Sequence, residues 1–240
     1  MLVEVCANSL QSALNAEKAG ADRIELCSEL AVGGITPSYG LLKKVKEKVT
    51  IPIHVLIRPR SGDFTFSEDE YEIMKKDIAL CRDMGFEGVV AGILYEDLRL
   101  DIDRTSRLKE AAGPMKFTFH RAFDWVVEPF MALEELENIG VDYILSSGQQ
   151  NSAPEGIAML ETLHQKAASC KIMPGSGIRP ENIRKFAEIG FNAVHLSAVK
   201  FERTLKQTPK VSMNSPAFLK DNEIGISDFE TIGRIVNEVK

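Results

Sequence analysis

No stretch of the chain approaches the roughly 20 consecutive apolar residues that a membrane-spanning helix needs. The opening residues, MLVEVCANS, lack the basic segment followed by an apolar one that marks a secretory leader. The expected location is therefore the cytoplasm. Basic residues are outnumbered, 29 against 35 acidic, for a formal charge of -6, and no Lys/Arg-rich stripe rises above that background. A nucleic acid or an anionic membrane is thus a poor partner, and a small molecule or an ion a better one. Cysteine is scarce: Cys6, Cys27, Cys81 and Cys170 include no Cys-x-x-Cys pair, which argues against a disulfide framework and a structural zinc site. In a reducing compartment these residues are thiols. His-x-His and His-Glu-x-x-His are both missing, which argues against a hydrolytic zinc centre.

What remains is ample for a core: 240 residues, 44% hydrophobic and 27% charged. Short apolar runs at Leu2–Cys6, Arg23–Cys27, Ile53–Arg58, Gly88–Leu94, Lys116–His120, Tyr143–Ser147, Lys171–Pro174 and Ala193–Ala198 read as strands. Amphipathic stretches separate them, with Ser67-x-x-Glu70 as a capping box and Pro129 and Pro180 near first turns. One joint recurs at Gly20, Gly85, Gly140 and Gly190. Each time glycine closes a helix, and an apolar then a polar residue opens the next strand. No Gly-x-Gly-x-x-Gly follows the first strand, and about eight βα units suit closure. The expectation is a single (β/α)8 TIM-like barrel over residues 1–240. Residues 200–226, polar and holding Pro209 and Pro216, form a long loop or arm after the eighth strand, followed by a last helix at Asp228–Val239.

Alternate strand residues face the barrel interior and the helix layer. In Val3-Glu4-Val5-Cys6 the valines take the dry helix side, which turns Glu4 and Cys6 inward; Ile24-Glu25-Leu26-Cys27 repeats the assignment. The same parity sends Thr118 and His120, His195 and Ser197, and His54 with Arg58 to the interior or mouth. A barrel core is ordinarily filled by branched aliphatics, so this polar layer is a departure. Arg58 paired with Glu4 or Glu25 as a buried ion network is the structural explanation to set against it. Cys81 and Cys170 read as small buried apolar side chains.

Several groups carry chemistry at the mouth. Gly175-Ser176-Gly177 after the seventh strand, with His195 and Ser197 at the end of the eighth, suits an anion, because glycine turns let backbone N–H groups approach it. Arg58 and Arg60 on a proline-stiffened loop suit a carboxylate or phosphate clamp. His120 fits a general acid or base, with Asp124 as its orienting carboxylate. Neighbouring Glu4 and Glu25 cannot both ionise cheaply without a shared proton or a cation. Two metal readings stay open: Cys6 with Cys27 for Cu(I), or Glu4, Glu25 and a histidine for a harder divalent ion.

With these motifs in place, the chain resembles the CutC family of copper homeostasis proteins. The matching segments are EVCANS at 4–9, GADRIELC at 20–27, GGITPSYG at 33–40, IRPRSGDF at 57–64, TFHRAFD at 118–124, SSG at 146–148 and MPGSGI at 173–178. The resemblance implies a cytoplasmic (β/α)8 barrel that forms homo-oligomers, dimers or larger, and handles copper with Cys6 and Cys27 as Cu(I) ligands. Family members often carry an all-glycine turn where this chain has Ser176, and some have a further cysteine where it has Leu196. Two other expectations stand beside copper. One is an enzyme or sensor for a small phosphorylated or carboxylated metabolite, using Glu4, Glu25 and His120. The other is an oligomeric scaffold assembled through the 200–226 arm.

Overall fold

The computed structural model of the chain describes residues 1–207, 209–213 and 220–240. Eight short strands line up in parallel: β1 (Leu2–Ala7), β2 (Arg23–Leu26), β3 (Ile53–Leu56), β4 (Gly88–Ala91), β5 (Lys116–Phe119), β6 (Tyr143–Ser146), β7 (Lys171–Pro174) and β8 (Ala193–Leu196). Helices α1 (Leu10–Lys18), α2 (Tyr39–Lys48), α3 (Glu68–Asp83), α4 (Ile102–Ala112), α5 (Pro129–Asn138), α6 (Ile157–Lys166) and α7 (Ile183–Ile189) make the crossovers. The hydrogen-bonded order runs β7-β6-β5-β4-β3-β2-β1-β8, so that β8 returns to β1 and the sheet curls into a nearly closed (β/α)8 barrel. β7 and β8 pack side by side without a regular ladder between them.

Local chemistry explains the elements. Gly20, Gly85, Gly140 and Gly190 all have positive φ, from 74° to 93°, the left-handed geometry that ends a helix and that a side chain resists. Ser67 Oγ accepts from Glu70 N and Glu70 Oε2 accepts from Ser67 N at 2.8 Å, so the capping box opens α3 as its sequence predicts. Pro129 is the first residue of α5, whereas Pro180 sits in the turn that leads to α7.

The long loop expected after the eighth strand is corrected to a hairpin. β9 (Val199–Arg203) pairs antiparallel with β10 (Glu223–Ser227), and α8 (Phe229–Val239) follows, capped by Asp228. Residues 208 and 214–219 of the arm, Pro216 among them, lie outside the described residues. The alternation of Val199 and Phe201 on β9 and of Ile224 and Ile226 on β10 is a strand pattern, and the register, Phe201 opposite Gly225 and Ile224 opposite Glu202, puts the two apolar sets on opposite faces of the hairpin. The hairpin's root is pinned: Ser227, fully buried, donates its N–H to Ser12 Oγ at 3.1 Å and its hydroxyl to the carbonyl of Cys6 at 3.3 Å.

Two kinds of core result. Val3, Val5, Ile24, Leu26, Phe117 and Phe119 belong to the apolar layer between strands and helices, together with Cys81 and Cys170. Inside the barrel, Cys6, Cys27, Leu56 and Val90 form one apolar wall and Leu145, Met173 and Ala193 another. Between those walls stand Glu4, Arg23, Glu25, His54, Thr118 and His195, every one buried. Among the described residues, no helix is long and apolar enough to cross a membrane.

Candidate functional site

Strand register builds the site. Cys6 is the Cα partner of Glu25, and Glu4 that of Arg23 on one side and His195 on the other. β1 therefore stands one inward step out of phase with β2, and Glu4 and Glu25 lie on different levels. On the lower level Arg23 Nε donates to Glu4 Oε2 at 2.5 Å, and His195 Nδ1 lies 2.8 Å from Glu4 Oε1. The Arg23 guanidinium also lies over the Tyr143 ring, 4.3 Å from its centroid, and donates to Met173 Sδ.

One level up, the Cys6 thiol donates to Glu25 Oε1 at 3.4 Å, and its sulfur lies 3.4 Å from that of Cys27. All four cysteines are free thiols. Donor atoms of Cys6, Glu25 and His195 lie within 4.8 Å of one another, close enough to share one metal ion. Among the described residues Glu25 Oε2 is buried with no hydrogen-bond partner, an acceptor left over for a ligand or a proton.

The two carboxyls are driven apart. Burial opposes ionisation of Glu4, yet Arg23 and the hydrogen bond to His195 outweigh it and hold the carboxyl well below the usual range. Glu25 moves up: burial dominates and Glu4 adds to it, against the opposing pull of His195. His195 is opposed by burial but raised by Glu25 and Glu4, so Glu25 and His195 compete for one proton. The Cys27 contact, burial and Glu25 push the Cys6 thiol well above its ordinary value. His54 is brought down to about 4 by burial and by Arg23. A Cβ on Gly88 would come within 2.4 Å of the His54 ring, so the glycine in β4 makes the room that His54 fills.

The mouth opens into a cavity of about 780 Å³ whose lining includes Cys6, Glu25, Arg58, His120, His195 and Ser197. Arg58 corrects one expectation. It pairs with neither glutamate: its guanidinium donates to the carbonyls of Val32, Gly34 and Gly62 and lies over the Phe64 ring, 5.0 Å from its centroid. The loop carbonyls reach it first, and Arg23 takes the ion-pair role. Arg60 is likewise turned away, bound to Glu70 at 2.6 Å and to Asp63 at 3.0 Å, beside a separate surface cavity.

His120 Nδ1 accepts the N–H of Ala122 at 3.2 Å, and Nε2 is buried without a partner. Burial and Arg58 bring this histidine down to about 3, so the ring is neutral. Asp124 does not orient it. The 3-10 turn Arg121–Trp125 aims Asp124 at the end of β6, where it accepts from Ser146 Oγ at 2.6 Å, Ser147 N at 2.9 Å and Arg121 Nε at 2.8 Å. The glycine turn is partly spent as well: Gly175 N donates to the Ser146 carbonyl and Ser176 Oγ to that of Asn151, while Ser176 and Gly177 still line the cavity. Thr118 is inside, its hydroxyl unpartnered.

Arg23 is the residue that reading the sequence missed. Its signal was present, since it shares the parity of Glu25 and Cys27 on β2.

Comparison with known proteins agrees with this architecture. The model of the CutC family matches residues 1–200. A Photorhabdus laumondii subsp. laumondii protein named CutC is 44% identical over 239 residues, covering 99% of this chain and 95% of its own. A namesake from Proteus mirabilis is 48% identical over 198 residues, 82% of this chain and 79% of its own. Among solved structures, a Streptococcus agalactiae protein described as a copper homeostasis protein CutC superposes with a TM-score of 0.78 at 32% identity, covering 82% of this chain and 98% of that one. Thiamine phosphate pyrophosphorylase from Pyrococcus furiosus, at 14% identity and a TM-score of 0.61, shares the fold alone.

Proposed function

The chain belongs to the CutC family, and from that premise we propose that it serves copper homeostasis by holding Cu(I) between Cys6 and Cys27 at the barrel mouth. The observation that carries the reading is the 3.4 Å separation of the two sulfurs, with Cys6 lining the cavity and Cys27 fully buried beside it. Paired soft thiolates select Cu(I) over harder divalent ions. The residues present suit such a cargo: Glu25 and His195, which hold one proton between them, stand beside Cys6 to take up one thiol proton as the sulfurs bind, the other passing to solvent, and Glu25 Oε2 has no competing partner among the described residues. The Streptococcus agalactiae relative's description points to the same role. Reduced thiols suit the cytoplasm, and the hairpin after the eighth strand, which exposes Phe201 on one face and Ile224 on the other, is the element through which copies of the chain would assemble.

The test is a Cu(I) competition titration under reducing conditions, comparing wild type with the double variant Cys6→Ser/Cys27→Ser. Wild type should outcompete the variant for the metal by at least about tenfold, a difference of about 1.4 kcal/mol. Equal affinity would remove copper binding at this pair.

A further inference from the structure

We infer that the mouth of this barrel binds a small oxyanion, a carboxylate or phosphate group, between Arg58 and His120. The site uses other residues than the thiol pair, although Cys6 lines the same cavity, and it does not depend on copper binding there.

Two buried donors beside one cavity lack acceptors. Arg58 and His120 are each 5% exposed, line the same cavity and pack against the same ring, Phe64, with the His120 ring centroid 4.8 Å from it. Arg58 Nε–H has no hydrogen-bond partner among the described residues, and neither has His120 Nε2. Because His120 Nδ1 accepts the Ala122 N–H, that nitrogen carries the lone pair, and the proton of the neutral ring must sit on Nε2. Both orphans are therefore donors, and an oxyanion supplies the acceptors they lack.

Charge argues the same way. Arg23 is paired with Glu4, whereas Arg58 donates to carbonyl oxygens, lies over an aromatic face and has no ion pair among the described residues. An unpaired buried charge is costly, and a native site that keeps one has a use for its counter-ion. At the rim, Arg234 is paired with Glu181 and Arg121 with Asp124, so neither competes for the ligand, while exposed Arg179 has no side-chain ion pair among the described residues. A Cβ on Gly92 would lie 2.8 Å from the His120 ring, so β4 continues into a residue that leaves the imidazole its place. Arginine with a neutral imidazole donor is a fitting reader of a carboxylate or phosphate oxygen.

The experiment uses the full chain, reduced and metal-free, titrated calorimetrically with inorganic phosphate and, separately, with malonate. In parallel, the ring-nitrogen NMR signals of His120 are followed. We expect at least one anion to bind and to shift the Nε2 signal. His120→Leu should weaken binding by about tenfold, the loss typical of one hydrogen bond to a charged group, while His120→Gln keeps a donor and retains most of the affinity. Arg60→Ala should bind as wild type does, since Arg60 faces Glu70. Binding of phosphate alone assigns a phosphate ester ligand, and binding of malonate alone a carboxylate. Should neither anion release heat nor move the His120 signal at millimolar concentration, the site is refuted; so it is if His120→Leu binds as tightly as wild type. The NMR arm on wild type decides the matter even if a variant fails to fold. Because no copper is present, failure here leaves the thiol pair untouched.

Discussion

Arg23 Nε donates to Glu4 Oε2 at 2.5 Å across the first two strands, with the arginine side chain 4% exposed and the glutamate not at all. The pair lies one level beneath Cys6 and Glu25 and neutralises a carboxyl held well below its ordinary range. It is the electrostatic floor of the site.

Removing one partner should cost far more than removing both. Arg23→Met strands the Glu4 charge in a dry interior, and we expect a loss of about 3–5 kcal/mol in urea unfolding. The double variant Arg23→Met/Glu4→Gln should recover a good part of that loss. A double variant no more stable than Arg23→Met alone would mean that the pair is not the source of the cost.

Acid should weaken the fold through His54. Its folded value of about 4 lies below the ordinary 6.5 of an exposed imidazole, chiefly through burial and then through Arg23. The unfolded chain therefore binds this proton first. The stability of the neutral ring is complete above pH 6.5 and is lost as pH falls from 6.5 toward 4, by about 3 kcal/mol. His120, brought down to about 3, adds in the same direction, and Glu4, held well below its ordinary 4.5, adds a further loss once pH falls toward and below 4.5. Unfolding midpoints measured between pH 8 and pH 4 should fall in wild type and fall less in His54→Leu; parallel curves would contradict this assignment.

Thiol reactivity should be low in the native state. Cys6 is pushed well up by its contact with Cys27 and by burial, and burial takes Cys81 and Cys170 up to about 12. Since the thiolate is the reactive form, iodoacetamide at pH 7.5 should leave these three residues unmodified over a time that fully alkylates the urea-unfolded chain. Peptide mass mapping reads the outcome directly, and prompt native modification of Cys6 would show that its thiol is not held protonated.

Assembly should depend on the hairpin. Phe201 on β9 and Ile224 on β10 are 60% and 49% exposed. Placing Lys at both positions should lower the mass measured by light scattering while leaving the far-ultraviolet circular dichroism unchanged. An unaltered mass would put any self-association elsewhere.

Strand parity was readable from sequence because the period of two is a property of the local chain. Val3 and Val5 had to face the helices, and so Glu4 and Cys6 had to face in. The joints at Gly20, Gly85, Gly140 and Gly190 were equally legible, since a left-handed helix end selects glycine whatever surrounds it. The pairing of those inward residues was not. It follows from the stagger of neighbouring strands in a closing barrel, which sets Cys6 against Glu25 and Glu4 against Arg23, and from the return of β8 to β1, which carries His195 to a carboxylate 191 residues away. Sequence likewise marked Arg58, Arg60 and Asp124 as charges at the mouth. Their partners were decided by which loop carbonyls, helix carboxylates and strand-end hydroxyls folding brings within reach of each. A charge in a sequence announces that it must be satisfied, and only the tertiary structure chooses by what.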